Sequence, residues 1–529
     1  MTPRLRSAAL ALALAGCAAA PAAAQEVRAL RTRPESTDYR ETSRYADVVA
    51  FLEAVDRASP RVHLTTFGYT AEGRALPLAV VGRVADASPR AVRAAGKTVV
   101  FIQGNIHAGE VEGKEAALAL LRALAAGEHA AWLDSLVLLV APIYNADGNE
   151  RVALANRPLQ HGPVGGMGTR ASAQGLNLNR DYSRLDAPES RSAAALLRAY
   201  DPHVLLDLHT TNGTRHAYHL TYAPPLHPNT DSAVVALLRG EWLPAVTREV
   251  RRRTGWETYY YGNVPSADEG NQGAERGWYT YDHRPRFSSN YWGLRNRFGI
   301  LSEAYAYLSF RDRIEATGRF VEAVLDYAHA HAGRIRHLAA EADARSVVGR
   351  ELALTARLRR SDQPVEILLG EVDEGRHPYT GALMLLRRDV RRPERMFEFG
   401  TFVPGEVERA PAAYLLPAAL GDALDRLEAH GVRVERLAAP ARLRVEEFRV
   451  DSTRVAERPF EGRRPRSVWG SWRPAERELP AGTAVVRVDQ PLGRLVFTLL
   501  EPRSDDGFAA WNLLGELEAG GAYPVLRTP

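Results

Sequence analysis

The first two-thirds of the chain alternates short apolar runs with amphipathic, alanine-rich stretches. The apolar runs predict strands at LPLAVVGR (76–83), KTVVFIQG (97–104), SLVLLVAPIY (135–144), HVLLDLH (203–209) and FGILSE (298–303). Apolar residues at helical spacing predict helices at 45–58, 111–127 and 188–200, and from Arg311 to about Ala342. Because such alternation is typical of a mainly parallel mixed sheet covered by helices, we predict an α/β domain over residues 30–342.

The pattern of apolar and polar residues changes near Val347. Alternating apolar and polar residues predict strands in ELALTARL, PVEILLGEV, ALMLLRRDV, TAVVRVDQPLG and RLVFTLLEP. One helix is expected among them, in LGDALDRLEAHG. We therefore predict a smaller, β-rich C-terminal domain over residues 345–529.

The first 24 residues have the layout of a signal peptide. A basic start (MTPRLR) precedes an apolar stretch too short to span a bilayer and a small-residue cleavage site near Ala24. The single cysteine, Cys17, lies in LAGC, which resembles a bacterial lipobox and offers a possible lipid anchor. We expect an exported bacterial protein, periplasmic or secreted, with an outer-membrane lipoprotein as the alternative and no transmembrane span.

The overall charge narrows the choice of partner. The formal net charge is only +4 over 529 residues, and the basic residues form no long block. The densest run, EGRRPRS (461–467), is interpreted as a solvated loop. No nucleic-acid partner is expected.

Polar side chains gather where the predicted strands end. In open α/β sheets, ligands bind beyond the carboxyl ends of the strands. The residues that fall there are His107, Glu110, Asp147, Asp207, His209 and Glu303. Each could be a capping or core residue by itself, but together they place two histidines and several carboxylates at one edge of the sheet.

This set suits metal-dependent hydrolysis. Two histidines and one carboxylate are the ligands of a catalytic zinc site that keeps a fourth position for water. His107 and Glu110 are close enough to bind from one turn, and a distant strand would bring the third ligand. Gly104 and Gly109 are expected to let the backbone turn tightly there. Glu303 would then be free to take a proton from the zinc-activated water and pass it to the leaving amine.

Three nearby features have weaker signals. The glycine-rich segment 156–175 is long for a loop and is expected to be functional or disordered. Asn179 and Arg180 suit bidentate capture of a carboxylate, although a solvated turn is the simpler reading of that dipeptide alone. Glu112 is interpreted as an ordinary helix-start acid.

The ordered motifs resemble those of the zinc carboxypeptidases, the carboxypeptidase A-like metallopeptidases. They are EGR (72–74), HAGE (107–110), NADG (145–148), NLNRD (177–181), DLHTT (207–211) and ILSE (300–303), and the resemblance covers about residues 40–330. It implies one Zn²⁺ ion and six site residues: zinc ligands His107, Glu110 and His209, general base Glu303, and carboxylate-binding Asn179 and Arg180.

Two further roles follow from the resemblance. For the arginine that polarises the scissile carbonyl we select Arg170, with Arg157 as the alternative. For the tyrosine that covers the substrate we select Tyr291, with Tyr279 and Tyr281 as alternatives.

Asn177 stands where the family often has an aspartate that orients a zinc-bound histidine. Its carbonyl oxygen is still expected to accept the imidazole N–H, without a charge.

The predicted function is that of a zinc metallopeptidase that releases C-terminal amino acids from peptides with a free C-terminal carboxylate. One alternative is a zinc amidase that acts on cell-wall peptides or acylated amino acids. Another is a non-catalytic envelope protein that binds peptide or carbohydrate on the same scaffold. The sequence leaves the role of the C-terminal domain open.

Overall fold

A computed structural model describes residues 25–211, 213–265 and 275–529. The predicted signal peptide (1–24) and Cys17 lie outside the described residues, so export and a lipid anchor stay predictions. Within the described ranges, no helix combines the length and the apolar character needed to cross a membrane.

A mixed β-sheet forms the centre of the first part of the chain. The strands up to residue 304 are β1 (Val62–Tyr69), β2 (Ala75–Val81), β3 (Thr98–Gly104), β4 (Leu136–Ala141), β5 (Val204–Thr210), β6 (Leu220–Ala223), β7 (Thr258–Tyr260), β8 (Gly277–Tyr279) and β9 (Phe298–Ala304). In the described residues the sheet order is β1-β2-β4-β3-β5-β9-β6-β7. Strands β4, β3, β5 and β9 run parallel at the centre, and β2 and β6 flank them in the antiparallel sense. The predicted α/β class is confirmed, and all five predicted strands belong to this sheet.

Helices cover this sheet. They span Arg33–Ser36, Tyr45–Ala58, Pro89–Ala94, Glu112–Ala125, Ala146–Glu150, Pro188–Tyr200, Ser232–Leu237, Leu243–Thr254, Ser288–Leu294, Phe310–Ala330 and Ala332–Ala344. Single 3₁₀ turns occur at Ala130–Asp134 and Leu178–Arg180, and a π-helical turn at Leu238–Trp242. The helix Tyr45–Ala58 shows why such segments fold: Val48, Phe51, Leu52 and Val55 are buried at helical spacing, toward the sheet.

The long helix predicted from Arg311 is interrupted. It consists of Phe310–Ala330 and Ala332–Ala344, separated at His331, whose φ of −116° is not helical. Apolar spacing continues across the break, which is why the sequence pattern does not reveal it.

The C-terminal part is rich in antiparallel strands. These are β10 (Glu351–Ala353), β11 (Ala356–Arg359), β12 (Val365–Leu369), β13 (Val372–Arg376), β14 (Leu383–Arg387), β15 (Arg392–Phe399), β16 (Thr401–Pro404), β17 (Val407–Arg409), β18 (Ala413–Leu416), β19 (Glu435–Arg436), β20 (Ala441–Val455), β21 (Arg466–Leu479), β22 (Ala484–Arg487) and β23 (Leu526–Thr528). The largest sheet described in this part has six strands in the order β19-β22-β18-β23-β20-β21. The predicted helix is present as Gly421–His430.

One predicted strand is a helix. The segment RLVFTLLEP was expected to be extended, but Gly493–Leu500 is helical and all eight of its residues are buried. A segment that is buried on every side has no polar face, so its apolar run cannot distinguish a strand from a helix.

The two parts of the chain share a hydrophobic core. Strand β8 of the first part pairs in parallel with β15 of the C-terminal part. One buried cluster combines Tyr291 and Trp292 of the first part with Phe448, Phe497 and Trp511 of the second. The change of pattern near residue 345 coincides with the end of the helix Ala332–Ala344, but the core runs across it.

Candidate metal centre and substrate cleft

The three predicted metal ligands converge at the carboxyl end of the central sheet. His107 and Glu110 lie in the turn between β3 and the helix Glu112–Ala125, and His209 lies near the end of the neighbouring strand β5. The Glu110 Oε1 atom is 3.0 Å from His107 Nδ1, and its Oε2 atom is 2.8 Å from His209 Nδ1. The two Nδ1 atoms are 3.2 Å apart, and the ligand atoms of all three residues lie within 4.8 Å of one another. The prediction of a candidate metal site at these residues is confirmed.

Close packing explains the glycines of this turn. Neither Gly104 nor Gly109 has a positive φ, so the expected backbone freedom is not what they provide. A Cβ atom on Gly109 would lie 2.7 Å from Arg157 Cγ and 2.9 Å from the Gly168 carbonyl oxygen. Asn105 is the residue that adopts the left-handed conformation here, with φ of +63°.

Hydrogen bonds fix the orientation of both imidazoles. His107 Nε2 donates to Asn177 Oδ1 at 2.9 Å, and this oxygen is identified because it also accepts the Asn179 backbone N–H at 3.0 Å. His209 Nε2 is 2.8 Å from Asp207 Oδ2. With each Nε2–H donated outward, each ring in its neutral form turns the Nδ1 lone pair toward Glu110. Two lone pairs and a carboxylate then face one point, which is an arrangement that fits a divalent cation.

The pKa values in this cluster favour the same conclusion. Burial lowers the pKa of His107 to about 4, which keeps this imidazole neutral. Burial opposes ionisation of Glu110, but His107 and Arg157 hold its pKa well below its usual range. Burial also acts to lower the pKa of His209, yet the Asp207 and Glu110 carboxylates raise it well above its ordinary value. The site thus attracts positive charge, which a proton supplies in the absence of metal and Zn²⁺ would supply in its place.

Glu303 faces the same cleft from the end of β9. Its backbone is in register with His209 on the adjacent strand. Among the described residues, no donor forms a hydrogen bond with its carboxylate. Burial, assisted by the nearby Glu110 charge, raises the pKa of Glu303 to about 8, with His209 and the two cleft arginines opposing. Glu303 is therefore a carboxyl group that can take up and release a proton near neutral pH.

The predicted site residues share one cleft of about 350 Å³, apart from Tyr291. Those that line it are His107, Glu110, Arg170, Asn179, Arg180, His209 and Glu303. The other walls are contributed by residues that include Arg157, Tyr261, Tyr281, Phe287, Ser288, Ser289 and Leu301.

Both arginine candidates reach Glu110 from the glycine-rich loop. Arg157 Nη1 is 3.1 Å from Glu110 Oε1, and Arg170 Nη1 is 3.3 Å from the same atom. Arg157 is held by two further bonds, to Gln160 Oε1 and to the Thr210 carbonyl oxygen. The Arg170 side chain is 44% exposed, against 17% for Arg157, so Arg157 is the more firmly fixed of the two.

Asn179 and Arg180 also line the cleft. Asn179 Oδ1 accepts the Ser288 backbone N–H at 2.9 Å, which leaves the Nδ2 donor on the cleft side, 3.2 Å from His209 Nε2. The Arg180 guanidinium stacks on the Phe287 ring at 3.7 Å. Burial lowers the pKa of Arg180 to about 10. In the described part of the chain, no carboxylate forms an ion pair with Arg180.

The prediction that Tyr291 covers the substrate is wrong. Its side chain is fully buried, and its hydroxyl lies 2.8 Å from His430 Nδ1 in the C-terminal part and accepts from Arg295 Nη1. The helix Ser288–Leu294 turns this position toward the shared core and not toward the cleft. Of the alternatives, Tyr281 lines the cleft, whereas Tyr279 stacks on Phe399 at 4.1 Å.

Tyr261 is a cleft residue that sequence reasoning did not single out. It lies at the end of the aromatic run TYYYGN, and its hydroxyl accepts from Asn263 Nδ2 at 3.1 Å. The only signal in the sequence is that aromatic run, which is equally typical of core packing.

Glu112 is more than a helix-start acid. It is fully buried, accepts a short hydrogen bond from Thr210 Oγ1 and lies 3.3 Å from Arg313 Nε. Arg313 also donates to the carbonyl oxygens of His161 and Gly162 in the glycine-rich loop. This buried pair therefore ties the loop that carries the cleft arginines to the start of the helix Glu112–Ala125, which directly follows the ligand turn.

Comparison with known proteins agrees with this geometry. Residues 48–211 match the family described as Zinc carboxypeptidase, and this stretch contains His107, Glu110 and His209. The chain is 24% identical over 455 residues to Carboxypeptidase 2 of Trichophyton tonsurans, covering 82% of this chain and 76% of that relative. A Carboxypeptidase 2 from Trichophyton rubrum is also 24% identical, over 460 residues and with the same coverage. Both relatives are fungal, so the expected bacterial origin stays a prediction.

Solved structures of carboxypeptidases resemble the chain over about half its length. A metallo-carboxypeptidase from Burkholderia cenocepacia is 18% identical, with a TM-score of 0.41, and the match covers 55% of this chain and 70% of that one. Carboxypeptidase A from Helicoverpa armigera is 18% identical, with a TM-score of 0.40, and the match covers 55% and 75%.

The matched region and the His–Glu–His cluster together support a zinc peptidase. The stretch that is similar to the Zinc carboxypeptidase family, residues 48–211, is the one that contains this cluster. The protein is an enzyme of the zinc metallocarboxypeptidase class.

Tyr291 lies in the core and Tyr281 lines the cleft, so removal of their hydroxyl groups should have different effects. Tyr291→Phe should lower the free energy of unfolding by about 1–2 kcal/mol, because His430 Nδ1 loses its buried partner. It should leave kcat and KM unchanged. Tyr281→Phe should lower kcat/KM by about 2–10-fold, the value of one neutral hydrogen bond, and should also lower stability because the hydroxyl bonds to Ser289 Oγ. Urea unfolding and steady-state kinetics on both variants check this, and a kinetic defect confined to Tyr291→Phe would contradict it.

Proposed function

We propose that this enzyme removes single amino acids from the C-terminus of peptides that end in a free carboxylate. The observation that carries the proposal is Arg180, a cleft-lining guanidinium without a carboxylate partner among the described residues, beside the Asn179 amide nitrogen, which lies 3.2 Å from His209 Nε2. Together they offer a planar fork and a neutral donor, which suit a carboxylate group.

Energetics support an anionic ligand at this position. A partly desolvated charge is costly unless it is paired. Burial lowers the pKa of Arg180 to about 10, which is the direction expected for a buried cation without a paired anion. A substrate carboxylate would remove the cost, whereas an internal stretch of peptide brings no charge. Asn179 and Arg180, which we call the substrate clamp, thus favour chain ends over internal peptide bonds.

Hydrolysis of the peptide bond requires a nucleophile and a group that carries a proton, both within the cleft. When bound by His107, Glu110 and His209, Zn²⁺ would supply a water made acidic enough to attack at neutral pH. Glu303 takes the proton of the attacking water and later returns it to the nitrogen of the leaving amino acid. Its lack of a hydrogen-bond partner among the described residues leaves both oxygens available for this exchange.

Arg157 and Arg170 provide positive charge where the carbonyl oxygen of the scissile bond gains negative charge. Both guanidinium groups lie beside Glu110, on the glycine-rich loop that borders the cleft. We assign the fixed Arg157 to this oxygen together with Arg170, the arginine selected from the sequence. Donors that are already in place need little reorganisation as charge develops.

Glu303→Gln should abolish turnover and leave metal binding intact. The amide keeps the shape of the side chain but cannot accept the proton, so kcat should fall about 10²–10⁴-fold. Kinetics and zinc content measured on the same preparation check this. Retained turnover at full zinc content would remove Glu303 as the base.

Arg180→Ala should weaken the binding of free-acid peptides. Loss of a charged hydrogen-bonding pair costs about 1.5–3 kcal/mol, which corresponds to a rise in KM of roughly 10–100-fold. Amidated peptides, which lack the carboxylate, should be affected little. Arg191→Ala is a matched control, because Arg191 is an exposed arginine for which the described residues provide no ion pair. Equal effects on acid and amide substrates would contradict a carboxylate-binding role.

A further inference from the structure

The loop between β20 and β21 is docked on the catalytic part of the chain. Its basic segment was interpreted from sequence as a solvated loop, and the structure corrects this. Arg463 donates two hydrogen bonds, of 2.8 and 2.7 Å, to the Asp186 carboxylate. The Arg286 guanidinium lies 5.3 Å from the centre of the Phe460 ring. The β20–β21 hairpin therefore brings residues of the C-terminal part close to the segment that carries the substrate clamp.

Glu461 makes the most direct contact of this loop with the active site. Its Oε2 atom accepts the backbone N–H of Asn177 at 2.7 Å. Its own carbonyl oxygen accepts from Arg184 Nη1 at 3.0 Å. The residue adopts φ of +50°, a conformation that is uncommon for residues other than glycine, and the docked loop maintains it.

Asn177 connects this contact to both functional sides of the cleft. Its Oδ1 atom accepts from His107 Nε2, which orients a metal ligand, and from the backbone N–H of Asn179, which belongs to the clamp. Asn177 also precedes the 3₁₀ turn Leu178–Arg180 that carries the clamp residues. A displacement of Asn177 would therefore move a metal ligand and the clamp together.

We propose that Glu461 is a positioning residue of the active site, supplied by the C-terminal part of the chain. By accepting the Asn177 N–H it fixes Asn177, and through Asn177 it holds His107 and Asn179 in place. The part of this inference that concerns the clamp rests on the proposed function, whereas the part that concerns the metal ligand does not.

The Glu461 charge has a second, smaller effect. The carboxylates of Asp282 and Glu461 partly offset the lowering that burial imposes on the pKa of Arg180. Glu461 thus places a negative charge near Arg180 while it accepts the neighbouring backbone N–H.

Three variants of the full-length protein separate positioning from a general effect on stability. Glu461→Ala removes the acceptor. Glu461→Gln keeps an oxygen that can accept the Asn177 N–H. Glu457→Ala is the matched control, because Glu457 lies in the same loop, is exposed and has no partner among the described residues. Zinc retention is measured by competition with a chelator, and kcat and KM are measured with a free-acid peptide.

Glu461→Ala should weaken zinc retention about tenfold, at the lower end of the range for residues that orient a metal ligand, because it acts through Asn177. It should also raise KM about tenfold with a smaller change in kcat. Glu461→Gln should stay within about twofold of the unmodified protein in both assays, and Glu457→Ala should be unchanged. If Glu461→Ala does not fold, Glu461→Asp, whose carboxylate is one methylene shorter, should show the same two changes.

Two results would overturn the proposal. One is that Glu461→Ala behaves like Glu457→Ala in both assays. The other is that Glu461→Gln is as impaired as Glu461→Ala, which would exclude the hydrogen bond as the cause. Because zinc retention involves no peptide, it decides the role of Glu461 even if the enzyme proves not to release C-terminal residues.

Discussion

The site depends on one electrostatic constraint, the convergence of two imidazole lone pairs and a buried carboxylate on one point. Asn177 and Asp207 each bind the outward nitrogen of a histidine, so both Nδ1 atoms are directed at Glu110. Such a group of acceptors is stable only with positive charge among them. The parallel register of β3 and β5 brings the two ligand segments together, and the buried Glu112–Arg313 pair secures the loop opposite them.

The two parts of the chain contribute differently to the cleft. The central sheet of the first part provides the metal ligands and Glu303 from the ends of its strands. The C-terminal part supports the segments that carry the clamp: Glu461 binds Asn177, and Asp506 binds both the backbone and the side chain of Arg286 next to Phe287. Because the hydrophobic core also runs across both parts, we regard the C-terminal part as a structural support of the active site.

The features that the sequence predicts best are those that the local pattern of residues determines. The rule that strands end at the binding edge is sufficient to find His107, Glu110, His209 and Glu303, because their positions depend on their own strands. It does not place Tyr291, since His430 of a distant helix decides which way that side chain points. It also misreads Glu112 and Glu461, whose partners are far away in the chain, and the helix Gly493–Leu500, which has no exposed face. These features depend on tertiary contacts that leave no periodic signal.

In the function that we propose, the enzyme acts at a free C-terminus. The most direct measurement is mass spectrometry of the products from one peptide, supplied once as the free acid and once as the C-terminal amide, with and without a zinc chelator. We expect stepwise loss of single C-terminal residues from the acid, no processing of the amide, and no products with the chelator. Internal cleavage, or equal processing of the acid and the amide, would contradict it.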